Sequence, residues 1–306
     1  MPNAHPINAL LLASAVLIGA LLTGAISKRV PALQMNEGAS VEDATGARIA
    51  VRDYVRVVST STIADQVLVQ LIDPRRLLAV SGHTLRTQPS AIYGDKIGVE
   101  RARDIETIIE LRPDIVFINN FVDRRHVERF KDAGLNVFDL GPMRGLETLR
   151  PNIRQLAAVL GVESRAERLI EKLEMELAEV STDVGSRERR RALYVGLHGD
   201  RLYGGTAGTS FHDVLVGAGL IDIAAEAGYK GWPAYSNEEI LSLDPDWIVT
   251  NPQSEETLCG HPGFEALSAC ANGQVRSVAT DLLTDPGLGI VDAARAVRNA
   301  VYGEAP

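Results

Sequence analysis

Asp104-Ile-Glu-Thr-Ile-Ile-Glu-Leu-Arg-Pro-Asp-Ile-Val-Phe-Ile-Asn119 and, 132 residues later, Ser236-Asn-Glu-Glu-Ile-Leu-Ser-Leu-Asp-Pro-Asp-Trp-Ile-Val-Thr-Asn251 are two copies of one phrase. Six of the sixteen positions coincide: Glu106/Glu238, Ile108/Ile240, Leu111/Leu243, Pro113/Pro245, Asp114/Asp246 and Asn119/Asn251. Each has a physical reading. The acid sits near a helix N-terminus, Ile and Leu face a sheet, and Pro-Asp stops the helix before a buried strand. A weaker echo pairs Asp65-Gln-Val-Leu-Val69 with Asp213-Val-Leu-Val216. Two copies at this separation imply two similar lobes, whereas a solenoid needs a shorter period and more repeats.

Working outward, the first copy lies among alternating strand and helix signals. Arg56–Ser59, Leu77–Val80, Lys96–Val99, Asp114–Ile118 and Leu135–Leu140 read as strands. Ile63–Ile72, capped by Ser61 or Thr62, reads as a helix; so do a stretch capped by Asp104 and ending near Leu111, and Arg124–Ala133, stopped by Gly134. That order indicates parallel βαβ units. Leu146–Val184 is helical with a break at Gly161, and Ala166, Leu169, Ile170, Leu173, Leu177 and Val180 form one apolar face. The second lobe opens with strand Ala192–Leu197. Gly204-Gly-Thr-Ala-Gly-Thr-Ser210 turns from a strand into helix Phe211–Ala218, with Thr209 or Ser210 as its cap. It has no lysine, so it is not a nucleotide P-loop. The expected fold is α/β: two Rossmann-like lobes with central parallel sheets, joined by a single long rigid helix. Its parts are residues 48–160, 161–186 and 187–306, preceded by a segment 1–27 and a linker 28–47.

Lys and Arg number 31 against 40 Asp and Glu, a net charge of −9. Such acidity excludes a general binder of phosphate backbones, so no nucleic acid is expected as a partner. No charged side chain precedes Lys28, and Ile7–Ile26 is apolar except for Asn8, Ser14 and Thr23. This stretch reads as a secretory signal peptide or as a membrane anchor, and either one exports the rest. No cysteine follows it, which excludes a lipid-modified amino-terminal cysteine. Cys259 and Cys270 are the only cysteines. In an oxidising compartment a disulfide between them is favoured, two free thiols being the alternative.

These pieces resemble the class III periplasmic binding proteins, the receptors of ABC importers for iron–siderophores, haem and cobalamin. The resemblance rests on Arg56-Val-Val-Ser59, the repeated phrase, Leu202-Tyr-Gly-Gly-Thr-Ala-Gly-Thr-Ser210, His261-Pro-Gly-Phe-Glu-Ala-Leu267, Asn272-Gly-Gln-Val-Arg276 and Pro286-Gly-Leu-Gly-Ile-Val-Asp292. It covers roughly residues 43–303. One departure is His83-Thr-Leu-Arg-Thr-Gln-Pro89, which replaces an Asp-Tyr-Pro-like stretch.

The resemblance implies a ligand held between the lobes by loops at the strands' carboxyl ends, where α/β sheets bind on physical grounds too. Those loops offer Ser61, His83, Arg86, Arg101 and Asn120 in the first lobe, and His198, Tyr203, Tyr229, Trp232 and Tyr235 in the second. The trio Tyr229, Trp232 and Tyr235 serves either ligand stacking or lobe packing. Arg86, Arg101 and Arg103 suit anionic groups, or a solvated surface. His83 and His198 either meet a metal centre or hydrogen-bond a polar ligand. The resemblance also implies acidic rims that dock an ABC permease with its ATPase, for which Asp123, Glu128, Glu255 and Glu256 are the candidates.

Against an enzyme, the chain has no G-x-S-x-G, H-E-x-x-H or G-x-G-x-x-G after a strand. The expectation is an extracytoplasmic receptor for a metal chelate, with no cofactor of its own. A membrane-tethered sensor ectodomain of the same fold and a receptor for bare zinc or manganese are the alternatives.

Overall fold

The computed structural model describes residues 38–100, 104–119, 124–182, 184, 188–284 and 287–303. The expected export segment 1–27, and the linker as far as residue 37, lie outside the described residues. Among those described, no helix is long and apolar enough to cross a membrane. The end of the expected linker is not a linker. Ser40–Glu42 (β1) and Arg48–Ala50 (β2) pair antiparallel. Asp43 closes their turn, its Oδ1 accepting from the amides of Thr45 and Ala47. Val41 and Ile49 turn their side chains to the core, an alternation that marks a hairpin.

The first lobe follows with β3 (Val57–Ser59), α1 (Thr62–Leu71), β4 (Leu77–Ser81), α2 (Gly82–Thr87) and α3 (Ser90–Tyr93). It continues through β5 (Ile97–Val99), α4 (Ile105–Glu110), β6 (Ile115–Ile118), α5 (Arg124–Asp132) and β7 (Val137–Asp139). The five strands β3 to β7 form one parallel sheet in the order β5-β4-β3-β6-β7. The chain therefore winds outward in both directions from β3, which places the reversal of strand order beside β3's carboxyl end. Asp104 does not cap α4 through its side chain. Its carboxylate accepts from the Glu100 amide at 2.8 Å instead.

Two helices lead to the second lobe, α6 (Leu146–Leu160) and α7 (Glu163–Thr182). Gly161, at φ +67°, supplies the left-handed residue that ends α6. α7 has twenty residues and spans about 30 Å. It buries Ala166, Ile170, Leu173, Leu177 and Val180, the face expected from their spacing. It is no free-standing rod, since it packs along α6 and against the last helix of the chain.

The second lobe comprises β8 (Arg191–His198), β9 (Arg201–Gly204), α8 (Ser210–Gly217), β10 (Ile221–Asp222), α9 (Ile223–Glu226), β11 (Ala234–Tyr235) and α10 (Asn237–Leu243). Then come β12 (Trp247–Thr250), α11 (Pro252–Glu255), α12 (Ser268–Ala271), β13 (Val275–Ser277), α13 (Thr280–Thr284) and α14 (Ile290–Tyr302). β10, β8, β12 and β13 run parallel, as expected. β9 and β11 are added antiparallel, because β8 returns through a two-residue hairpin turn before any helix intervenes. Thr209 stands at the N-cap of α8, but its hydroxyl donates to the Thr206 carbonyl and caps nothing.

The described residues, 38 to 303, make one compact unit. The largest apolar cluster runs from Val57, Phe117 and Phe138 in the first sheet, through Leu156 and Ile170, to Tyr194, Trp247 and Val297 in the second lobe. A shared core resists the separation of its halves, because close-packed interiors do not deform continuously.

Candidate functional site

The site is built from α1 upward. Ser61 caps that helix, its hydroxyl accepting from the Ala64 amide at 3.4 Å. Ile63, Ala64, Val67, Leu68 and Leu71 are buried against the sheet. Gln66 and Gln70, one turn apart, form a polar stripe on the same helix. At the end of β4 the Ser81 hydroxyl accepts from the His83 amide and opens α2. Gln88-Pro89 breaks that helix, and α3 follows with Ile92 and Tyr93.

These elements border a cleft-like cavity of about 310 Å³ that is open to solvent on one side. Its first-lobe wall includes Gln66, Gln70, His83, Thr87, Gln88 and Tyr93. The opposite wall comes from the second lobe, with Asp281 and Leu282 of α13 and Leu288, Gly289 and Asp292 at the start of α14. The lobes touch here: the Gly289 amide donates to Gln66 Oε1 at 3.3 Å. Chemically the wall offers side-chain amides, one imidazole, one phenol and two carboxylates. Asp292 is partnered by Arg295 at 2.9 Å, and no Lys or Arg is among the described lining residues. A cavity of this size between lobes lies at the small end of ligand sites.

Of the ten residues expected to bind ligand, His83 lines this cavity. Ser61 does not: it is buried, and its hydroxyl serves as a cap beside Asn119 Nδ2 and the Met143 sulfur. Arg86 is not on a loop. It lies in α2, outside the cavity wall, and pairs with Glu100 at 2.6 Å on the surface. Glu100 crowds Gly82 so closely that a Cβ there would meet its Oε1 at 2.3 Å. Arg101 and Asn120 lie outside the described residues, as does Arg103.

The five second-lobe residues stand apart from the cavity wall. His198 ends β8 at the tip of the β8–β9 hairpin and is exposed. The Tyr203 ring lies against Gly196, where a Cβ would sit 2.5 Å from it, and its hydroxyl is 3.4 Å from Asn251 Nδ2. The aromatic trio is divided. Tyr235 is a core residue, packed edge to face with Tyr229 at 5.4 Å, and burial pushes its hydroxyl's pKa up. Tyr229 donates to Glu239 Oε1 at 2.9 Å, a bond that raises its own pKa and helps to hold Glu239 below the usual carboxylate range. Trp232 is left 55 % exposed on the loop between them.

Among the docking candidates, Glu128 and Glu256 are exposed, Glu128 with Lys131 3.8 Å away. Glu255 is half-buried and accepts from the Ser277 hydroxyl, which ties it to β13. Asp123 lies outside the described residues. Cys259 and Cys270 are joined by a disulfide that links the short turn after α11 to α12. Among the described residues no group of three or more His, Cys, Asp or Glu is placed to hold a bare metal ion.

Gln66, Gln70, Tyr93, Asp281 and Asp292 are site residues that sequence reasoning missed. The two glutamines carried a signal, being polar at i and i+4 on a mostly apolar helix. Asp281 follows β13, and the rule that ligands bind beyond strand ends points there as much as to the loop after β12.

Comparison with known proteins places this architecture. A family model described as periplasmic binding protein matches residues 57–282. The ABC transporter substrate-binding lipoprotein YvrC of Bacillus subtilis is 21 % identical over 205 residues, 65 % of each chain. The match thus spans just under two thirds of that relative's length. A cobalamin-binding protein of Halobacterium salinarum is 26 % identical over 261 residues, covering 81 % of this chain and 69 % of the relative. The crystal structure of a possible iron-binding periplasmic solute-binding protein from Staphylococcus epidermidis superposes with a TM-score of 0.73 at 18 % identity, over 82 % of this chain and 100 % of that one.

Proposed function

The chain belongs to the periplasmic binding protein family, and from that premise we propose that it is an extracytoplasmic receptor that delivers a metal chelate of the corrinoid class to an ABC importer. The observation that carries the choice of ligand is the charge of the cavity wall. Asp281 and Asp292 are carboxylates, Gln66, Gln70 and Gln88 are amides, and no cation is among the described lining residues. Haem propionates and ferric catecholates are anionic and call for Arg or Lys. A corrinoid presents neutral amides around its rim, which pair with glutamine amides and donate to carboxylates. At about 310 Å³ the cavity grips one edge of such a macrocycle.

The family is one of binding receptors. Its partners here are an ABC permease and ATPase, met through the exposed Glu128 and Glu256. Export follows from the apolar segment 7–26, cleaved or retained as an anchor. The shared apolar core favours binding with small lobe movement. A tethered sensor of the same fold would bind the same ligand and differ only in keeping that segment.

Isothermal titration of the chain with cyanocobalamin, haem and a ferric catecholate tests the reading. Saturable binding of cyanocobalamin at submicromolar concentration is expected, with the two anionic chelates weaker. Tighter binding of haem or the catecholate would overturn the corrinoid choice, and no binding of any would overturn the chelate receptor.

A further inference from the structure

Asp65 is fully buried and does not line the cavity, yet it sits between the two helices that build the cavity's first-lobe wall. Its Oδ2 accepts from the Ser81 amide at 2.9 Å and from the Thr84 hydroxyl at 2.6 Å. The first donor is the last residue of β4, and the second lies in the first turn of α2. Its Oδ1 is buried without a hydrogen bond. Among the described residues nothing cationic answers it: β3 presents Ser59, β4 Ser81 and α2 Thr84, while His83 and Arg86 lie on the exposed face of α2. An uncompensated buried carboxylate costs stability, so a merely space-filling role is better served by an apolar side chain.

α2 supplies what the carboxylate is for. Its six residues are too few to hold a helix by themselves, and its position must come from tertiary bonds. Two anchors hold its start, the Ser81 hydroxyl on the His83 amide and Asp65 on Thr84. The same residue is followed by Gln66, with Gln70 one turn further along α1. We propose that Asp65 is a positioning residue for ligand binding, which locks α2 to α1 so that His83 and Thr87 line one cavity with Gln66 and Gln70.

The inference deepens the receptor reading, and its ligand-affinity arm rests on that reading while its exchange arm does not. Three variants of the full chain test it by amide hydrogen exchange and by cyanocobalamin titration. Asp65→Leu removes the acceptor and should speed exchange across Ser81–Thr87 about tenfold while leaving α6 and α14 as they are. The same variant should weaken cyanocobalamin about tenfold. Asp65→Asn keeps an accepting oxygen and should restore both readouts to wild type. Thr84→Val removes one donor without changing shape, and carries the test should Asp65→Leu not fold. It should raise exchange in the same segment to a smaller extent. Wild-type exchange in Ser81–Thr87 in both Asp65→Leu and Thr84→Val overturns the proposal. So does a rise spread evenly over the chain, which is the mark of general destabilisation. If wild type fails to bind cyanocobalamin, the corrinoid reading falls and the exchange pattern still decides the positioning role.

Discussion

The helices α1 and α8 occupy matching places in the two lobes and carry an aspartate at the same point, Asp65 and Asp213, each the fourth residue of its helix. Beyond that point they diverge. Gln66 and Gln70 form the stripe that α1 turns to the cavity, whereas Val214 and Ala218 at the corresponding places of the second lobe are fully buried. Gly217 shows how tightly α8 is covered, since a Cβ there would lie 3.1 Å from Leu177 and 3.2 Å from Ala294. The aspartates diverge with their helices. Asp65 stays within its own lobe, while Asp213 reaches across to accept from the Leu146 amide at 2.7 Å and caps α6, whose own cap is a glycine. One helix of the repeat became a wall and the other became a joint.

The largest effect that can break this comparison is electrostatic. Burial pushes the Asp65 carboxyl up to about 7, against the opposing pull of the nearby Ser59 and Thr84 hydroxyls and the Ser81 amide. A folded-state value above the unfolded one of about 4 means that the native state holds the proton longer. The stabilising contribution is then complete below about pH 4 and is lost as pH rises through about 7. Its full size is on the order of 4 kcal/mol. Asp65→Asn should abolish this slope in urea unfolding followed from acid to neutral pH, and should be the more stable protein at about pH 8. Burial raises Asp213 as well, but it is only half-buried, and the Leu146 amide and the charges of His212 and Arg150 counter the rise, so Asp213→Asn should flatten the slope less. An equal or larger change in Asp213→Asn would erase the distinction between wall and joint. A smaller effect sharpens it: Asp213→Ala strips α6 of its cap and should cost about 1 kcal/mol, read as a lower urea midpoint with faster amide exchange at Leu146–Arg150.

Much of this architecture was legible because it is local. Pro113 and Pro245, Gly134 and Gly161 act on their own backbone, so the strand and helix order followed from neighbours. The hairpin of residues 40–50 was equally local, with Val41 and Ile49 alternating about an Asp-Ala-Thr-Gly turn, but two strands of three residues are too short for that alternation to stand out from a linker. The site was less legible because its parts are distant. Asp65 finds its donors 16 and 19 residues away, and Gln66 meets Gly289 across 223 residues. No periodicity records such meetings. The aromatic trio misled for a related reason: Tyr235 lies in a two-residue strand whose pairing with β9, set from outside the segment, turns it into the core.

The repeated phrase itself holds the smallest test. Ser236 and Asp104 stand at the same position of the two copies, each before a short helix. Ser236 makes a full capping box, its hydroxyl accepting from the Glu239 amide at 3.2 Å while Glu239 Oε2 accepts from the Ser236 amide at 2.8 Å. Glu239 also receives the Tyr229 hydroxyl, so the box anchors the loop that carries Trp232. Asp104 has no acid three residues on, Thr107 standing there, and it spends its carboxylate on Glu100. Ser236→Ala should therefore cost about 1 kcal/mol. Asp104→Ala, which removes one exposed loop contact and no cap, should cost no more than about 0.5 kcal/mol. Thermal unfolding of the two variants side by side decides the point. Equal losses would mean that α4 draws on Asp104 as α10 draws on Ser236, and that the two copies differ in sequence but not in how their helices begin.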